Sequence, residues 1–258
     1  MTHIYIITGS SRGLGLAIAQ QLLKPNHQLL CMARQASPQL DGLARTTASP
    51  LTQWTLDLTN GAEAALRLAD WLDRQPQGVC QSATLINNAA ALLTIAPLSD
   101  TPSAEIASVL QIGLEAPLHL TAAFLAHTAG WTQAGGAAVR RRVLNISSGL
   151  GRNAMASQAL YCAAKAGLDH FTRCLSLEEA AKPDGAKVCA IAPGVIDTDM
   201  QRHLRSATAE AFADRARFVE LKNKGQLSSP AACAAQLLDY LDQPAFGSQA
   251  IADIREIT

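Results

Sequence analysis

Along the chain, short apolar runs alternate with longer stretches in which apolar residues recur at helical spacing. "HIYIIT" (3–8), "HQLLCMAR" (27–34), "LTQWTLDL" (51–58), "ATLINNA" (83–89), "RVLNISS" (142–148), "KVCAIAP" (187–193) and "SQAIADI" (248–254) read as strands. Each is too short for a helix, and several are apolar throughout, as strands covered on both faces are. Between them, "LGLAIAQQLL" (14–23), "AEAALRLADWLDRQ" (62–75), "PLHLTAAFLAHTAG" (117–130) and residues 158–181 carry helical stripes. Asp100 or Thr101 is expected to cap a helix with Pro102 in its first turn, and Ser228 or Ser229 a helix with Pro230 at its first position.

This alternation predicts an α/β fold, a doubly wound parallel sheet of about seven strands with helices on both faces. No repeat, linker or low-complexity tract divides residues 1–258, so one domain is expected. The long stretch outside the alternation, about 197–227, is polar and helical in character and follows a strand end. Such a segment is a candidate lid.

Charge removes one class of function. Lys+Arg and Asp+Glu both number 21, without the basic excess of a nucleic-acid binder. Arg140, Arg141 and Arg142 read as a solvated lead into a strand. The six cysteines have no C-x-x-C spacing and read as buried free thiols of a reducing compartment. His119 and His127 share a helix face without metal spacing, and no metal is expected. With no signal peptide and no apolar run near the ~18 residues of a spanning helix, a soluble cytoplasmic protein is expected.

The first strand ends in "TGSSRGLG" (8–15). Gly9, Gly13 and Gly15 permit a tight turn and a close ligand approach, and the helix that follows points free N–H groups at an anion. A dinucleotide pyrophosphate fits such a turn. The second strand ends at Arg34, where an acid would hold a ribose 2′-hydroxyl and an arginine suits a 2′-phosphate. Arg12 offers a second guanidinium, so NADP is the expected cofactor. In "YCAAK" (161–165), Tyr161 and Lys165 stand one helical turn apart, which fits a plain surface pair as well as an acid–base pair.

"TGSSRGLG", "LDL" (56–58), "NNAA" (87–90), "ISSG" (146–149), "YCAAK" and "APGVIDTDM" (192–200) together resemble the ordered motifs of the short-chain dehydrogenase/reductase family. The segments 147–167, 221–230 and 252–256 are similar to its bacterial benzil reductases, in the sepiapterin-reductase-like branch. The resemblance implies a Rossmann-type domain and an NADPH-dependent carbonyl reductase. Tyr161 would be the proton donor, Lys165 would lower the phenol's pKa and bond the nicotinamide ribose, and Ser148 would orient the carbonyl. The cofactor would lie against Gly9, Ser11, Arg12, Gly13, Leu14 and Gly15, then Arg34, Asp57, Leu58, Asn88 and Ala89. Pro193, Gly194, Ile196 and Thr198 would complete its site with Tyr161 and Lys165. Asn87 would brace the central strand.

The resemblance further implies a small-molecule carbonyl substrate such as a 1,2-diketone, no nucleic-acid or membrane partner, and a homodimer built on the helices near 110–130 and 158–181. Met155, Met200 and Leu204 flank the motifs and suggest an apolar pocket. One residue departs from the pattern. In "LQIGLEAPLHLT" (110–121), Gly113 stands where the family has an asparagine that marks a helix kink and carries a proton-relay carbonyl. Two other readings therefore stay open: a weakly catalytic NADP-binding sensor, and a sepiapterin-type pterin reductase.

Overall fold

Seven strands of a computed structural model, which describes residues 2–92 and 94–257, form one parallel sheet. They are β1 (Thr2–Thr8), β2 (His27–Ala33), β3 (Leu51–Thr55), β4 (Cys80–Asn87), β5 (Arg140–Ile146), β6 (Lys187–Ala192) and β7 (Ile251–Asp253). The helices are α1 (Gly13–Leu22), α2 (Pro38–Thr47), α3 (Gly61–Asp73), α4 (Ser103–Leu110), α5 (Ala116–Thr128), α6 (Ala159–Ala180), α7 (Asp199–Ser206), α8 (Arg215–Asn223) and α9 (Pro230–Asp242). The sheet order is β3-β2-β1-β4-β5-β6-β7. Because every pairing is parallel, all strand C-termini lie at one end of the sheet.

Alternating strand residues feed two cores. Tyr5 and Ile7 face α1, α2 and α9, where Ile18, Leu40 and Leu237 are buried. Ile4 and Ile6 face α3, α5 and α6, where Leu68, Phe124 and Leu175 fill the other layer. This period-2 division explains the continuous apolar strands. A buried polar chain crosses the second layer. Asn87 donates to Asn145 Oδ1 at 2.9 Å and Thr121 Oγ1 at 3.2 Å, bracing β4 against β5 and α5 as the resemblance implies.

Several expectations need correction. Helix α2 was not foreseen, because Leu40 is its one fully buried residue and the segment lacks a broad stripe. β3 stops at Thr55 and β7 spans three residues, shorter than their apolar runs. Pro102 is itself the boundary of α4, in an extended conformation, and Asp100 sits in a 3-10 turn. Ser229 does cap α9, accepting from the Ala232 N–H at 3.1 Å. The three arginines lie inside β5, not before it, and Arg142 is buried against Asp242 at 3.1 Å. Cys31, Cys80, Cys189 and Cys233 are buried as expected, but Cys162 is half-buried and Cys174 exposed. His119 faces Glu115 and His127 faces Asp73, and the described residues hold no metal cluster.

α4 and α5 join through a π turn, Gln111–Glu115, without leaving the helical path. The run Ser103–Thr128 thus reaches the length and apolarity of a membrane-crossing helix, where no such run was expected. Its inner side is occupied: Ala116, Leu120 and Phe124 belong to the core shared with α3.

Candidate active site

β1 ends at Thr8, and the chain turns through Gly9 at φ 69° and Gly13 at φ 56° into α1. A Cβ on Gly15 would lie 2.3 Å from Gly9 O and 2.4 Å from Asn88 Nδ2, so only glycine lets α1 start this close to the strand. Asn88 holds the turn from β4, donating to Thr8 O at 2.9 Å and Gly9 O at 3.2 Å. Thr8 Oγ1 accepts from the backbone N–H groups of Asn88 and Ala89. No side chain caps α1, so its first N–H groups are left for an anion.

This turn opens on a cleft of about 860 Å³ across the C-terminal ends of the strands, where doubly wound sheets bind ligands. Every residue assigned from sequence lines it. Ser11, Arg12 and Leu14 join the three glycines on one wall, and Arg34 follows β2. Asp57 and Leu58 follow β3, and Asn88 and Ala89 follow β4. Pro193, Gly194, Ile196 and Thr198 come from the end of β6, with Ser148, Tyr161 and Lys165 at the far side. Arg34 is exposed, whereas Arg12 lies 3.4 Å from Asp199 and is partly engaged.

Ser148 follows the end of β5 and heads a short 3-10 turn, where its Oγ accepts from the Leu150 N–H at 3.1 Å. The Ser148 side chain lies beside the Tyr161 hydroxyl and draws its pKa down. Lys165, 4 % exposed, donates from Nζ to Ile146 O at 2.7 Å, with Nζ 5.7 Å from the Tyr161 ring centre. The helical spacing thus places phenol, ammonium and serine in one corner. Burial pushes the Tyr161 phenol above its ordinary value, and Ser148 opposes that rise only in part. This reverses the expected downward shift, because Lys165 is tied to a backbone carbonyl and desolvation dominates. Burial also lowers Lys165 to about 8, against the upward pull of Asp169.

The lid stretch forms α7 and α8, and Lys222 of α8 donates at 2.7 Å to Asp197, where the stretch begins. Leu204 and Phe218 pack with Ile95, Phe212 and Met155 as a small separate core. Met155, Met200 and Leu204 line the cleft as the sequence suggested. Gln158 and Phe218 also line it and were missed, since neither lies in a recognisable motif. Gly113 is buried in the π turn, where a Cβ would meet the Ala164 Cβ at 3.1 Å.

Comparison with known proteins agrees with this geometry. The family model described as short chain dehydrogenase matches residues 3–209. The chain belongs to the short chain dehydrogenase family. It is therefore an oxidoreductase, of a family that works with a nicotinamide cofactor. Within this family, a benzil reductase ((S)-benzoin forming) of Bacillus cereus is 35 % identical over 251 residues, covering 97 % of this chain and 98 % of that protein. A sepiapterin reductase of Xenopus laevis is 30 % identical, covering 94 % and 92 %. The crystal structure of a short-chain dehydrogenase/reductase from Burkholderia vietnamiensis is similar at 31 % identity and a TM-score of 0.64, covering 99 % and 98 %.

Proposed function

We propose that this short-chain dehydrogenase is an NADPH-dependent carbonyl reductase acting on ketones and 1,2-diketones such as benzil. The observation that carries the reading is Ser148 and Tyr161 side by side with Lys165 at the wall of a cleft that has an uncapped helix start at its other end. The glycine cradle fits a dinucleotide diphosphate, and Arg34 with Arg12 fits a 2′-phosphate. The nicotinamide, when bound, supplies the hydride.

The chain's own residues do the rest. A carbonyl oxygen seated between Ser148 and Tyr161 would accept from both hydroxyls. A phenol raised by burial stays protonated at neutral pH, as a reductase's acid must. Tyr161 gives that proton to the alkoxide oxygen as it forms, and the positive charge of Lys165 steadies the phenolate left behind. Met155, Met200, Leu204 and Phe218 exclude water around an apolar substituent, and α7 and α8 act as the lid over it. The protein is proposed to work in the cytoplasm as a homodimer.

Loss of NADPH absorbance with benzil tests the activity. Tyr161→Phe is expected to abolish turnover while NADPH still binds, and substantial turnover by that variant would remove the phenol from the mechanism. The sepiapterin reductases among the relatives favour one second reading. In the same assay, turnover of sepiapterin with inert diketones would select it.

A further inference from the structure

Asp169 lies on α6 one turn beyond Lys165 and two beyond Tyr161, and is 1 % exposed. Tyr161, Lys165, Asp169 and Thr172 recur at helical spacing and meet four consecutive residues at the end of β5. Asn145 donates to Thr172 Oγ1 at 2.9 Å, and Lys165 donates to Ile146 O. Ser147 Oγ donates to Asp169 Oδ1, and Ser148 lies beside Tyr161. The other Asp169 oxygen lies 3.3 Å from Arg152 Nε, on the turn that leaves Ser148. Gly151 of that turn is so close that a Cβ on it would stand 2.9 Å from Asp169 Oδ2. One buried carboxylate therefore reaches the chain on both sides of Ser148, by a hydrogen bond at 147 and by an ion pair at 152, where its Oδ2 accepts no hydrogen bond.

We infer that Asp169 is a positioning residue for carbonyl reduction, holding Ser148 opposite Tyr161 through Ser147 and Arg152 and supplying the negative charge that balances Lys165. The inference rests on the carbonyl-reductase reading. The groups facing Lys165 and Asp169 are Tyr161 on the same helix, Arg152 on the turn after β5, and Cys189 on β6. Asp253 and Arg255 lie beyond Arg152, while Val109 and Gly113 on the α4 side carry no charge. Within this set Asp169 opposes the loss of the Lys165 proton, so its removal moves that loss to lower pH.

Asp169→Asn separates charge from shape, because the amide oxygen still accepts from Ser147. Steady-state reduction of benzil with NADPH is followed from pH 6 to pH 10 in the wild type and this variant. The expected result is a kcat lowered at least about tenfold at pH 7, with KM within about threefold, and an alkaline limb moved down by about one pH unit. A kcat within threefold of wild type overturns the inference, as does a fall in kcat with the limb unmoved. If Asp169→Asn does not fold, Ser147→Ala removes the bond and keeps the charge. It is expected to lose at least about fivefold in kcat with its limb unmoved, and full activity overturns the inference. A wild type that reduces no carbonyl sinks the functional reading instead. The pH dependence of NADPH binding, read by nucleotide fluorescence, then tests Asp169 by the same shift, and coincident curves overturn it.

Discussion

Arg34 stands exposed just past β2, and Arg12 stands in the glycine turn beside Asp199. Two guanidinium groups lining one cleft favour a 2′-phosphate over a free hydroxyl by charge-assisted bonds. NADPH is therefore expected to be preferred over NADH by at least about tenfold in kcat/KM, equivalent to ~1.4 kcal/mol. Arg34→Asp should erase that preference, and unchanged selectivity in the variant would argue against the assignment. Lys165 carries a stability cost with a definite sign. Burial holds it at about 8 in the folded chain, below its ordinary 10.5. Below pH 8 both states are protonated and the folded state bears the desolvation in full. Between about 8 and 10.5 the unfolded chain keeps a proton that the folded chain has shed, so stability rises with pH. Relative to Lys165→Met, the wild type should gain about 2 kcal/mol between pH 7 and pH 10, measured by urea unfolding. Ser148, Tyr161 and Lys165 were legible from spacing and motif. The direction of the Tyr161 shift was not, because it depends on burial, which a helical repeat does not reveal.

At the scale of elements, the strands were legible as apolar runs, since two-sided burial demands them. Their ends were not: the same apolar letters continue into the cleft at Leu56 and Leu58, past the last residue of β3. The α4–α5 path was legible as one helical stretch, but its π turn was not. Its π turn puts the stripe of α4, ending at Val109, out of phase with that of α5, marked by Leu120 and Phe124, so no single helical period spans them. Helix propensity alone makes Gly113→Asn mildly stabilising. The close approach of Ala164 opposes that expectation, because a Cβ at 113 stands 3.1 Å from the Ala164 Cβ and α6 has to give way beside Lys165. Gly113→Asn should cost about 1–3 kcal/mol in thermal unfolding and lower kcat as well. Adding Ala164→Gly should recover part of the stability, a coupling that a double-mutant cycle reads directly.

For the whole molecule, the parallel sheet and its layering followed from the alternation of strand and helix, because parallel strands need crossovers that cover both faces, whereas the strand order did not. Association was not legible beyond family resemblance. Leu177 on α6 is 75 % exposed and Leu118 on α5 37 %, outward-facing apolar groups on the two helices proposed to pair. A dimer is expected by light scattering at micromolar concentration, and Leu177→Glu should shift it toward monomer. The bonds from Asn88 to Thr8 and Gly9 carry a further consequence. They join residues about 80 positions apart, so the glycine turn is held by a strand made long after it. A chain still emerging from the ribosome has the phosphate-binding letters early but not the brace that shapes them. Nucleotide capture thus comes after the two halves of the sheet have met, and nucleotide in solution favours chains that have completed that meeting.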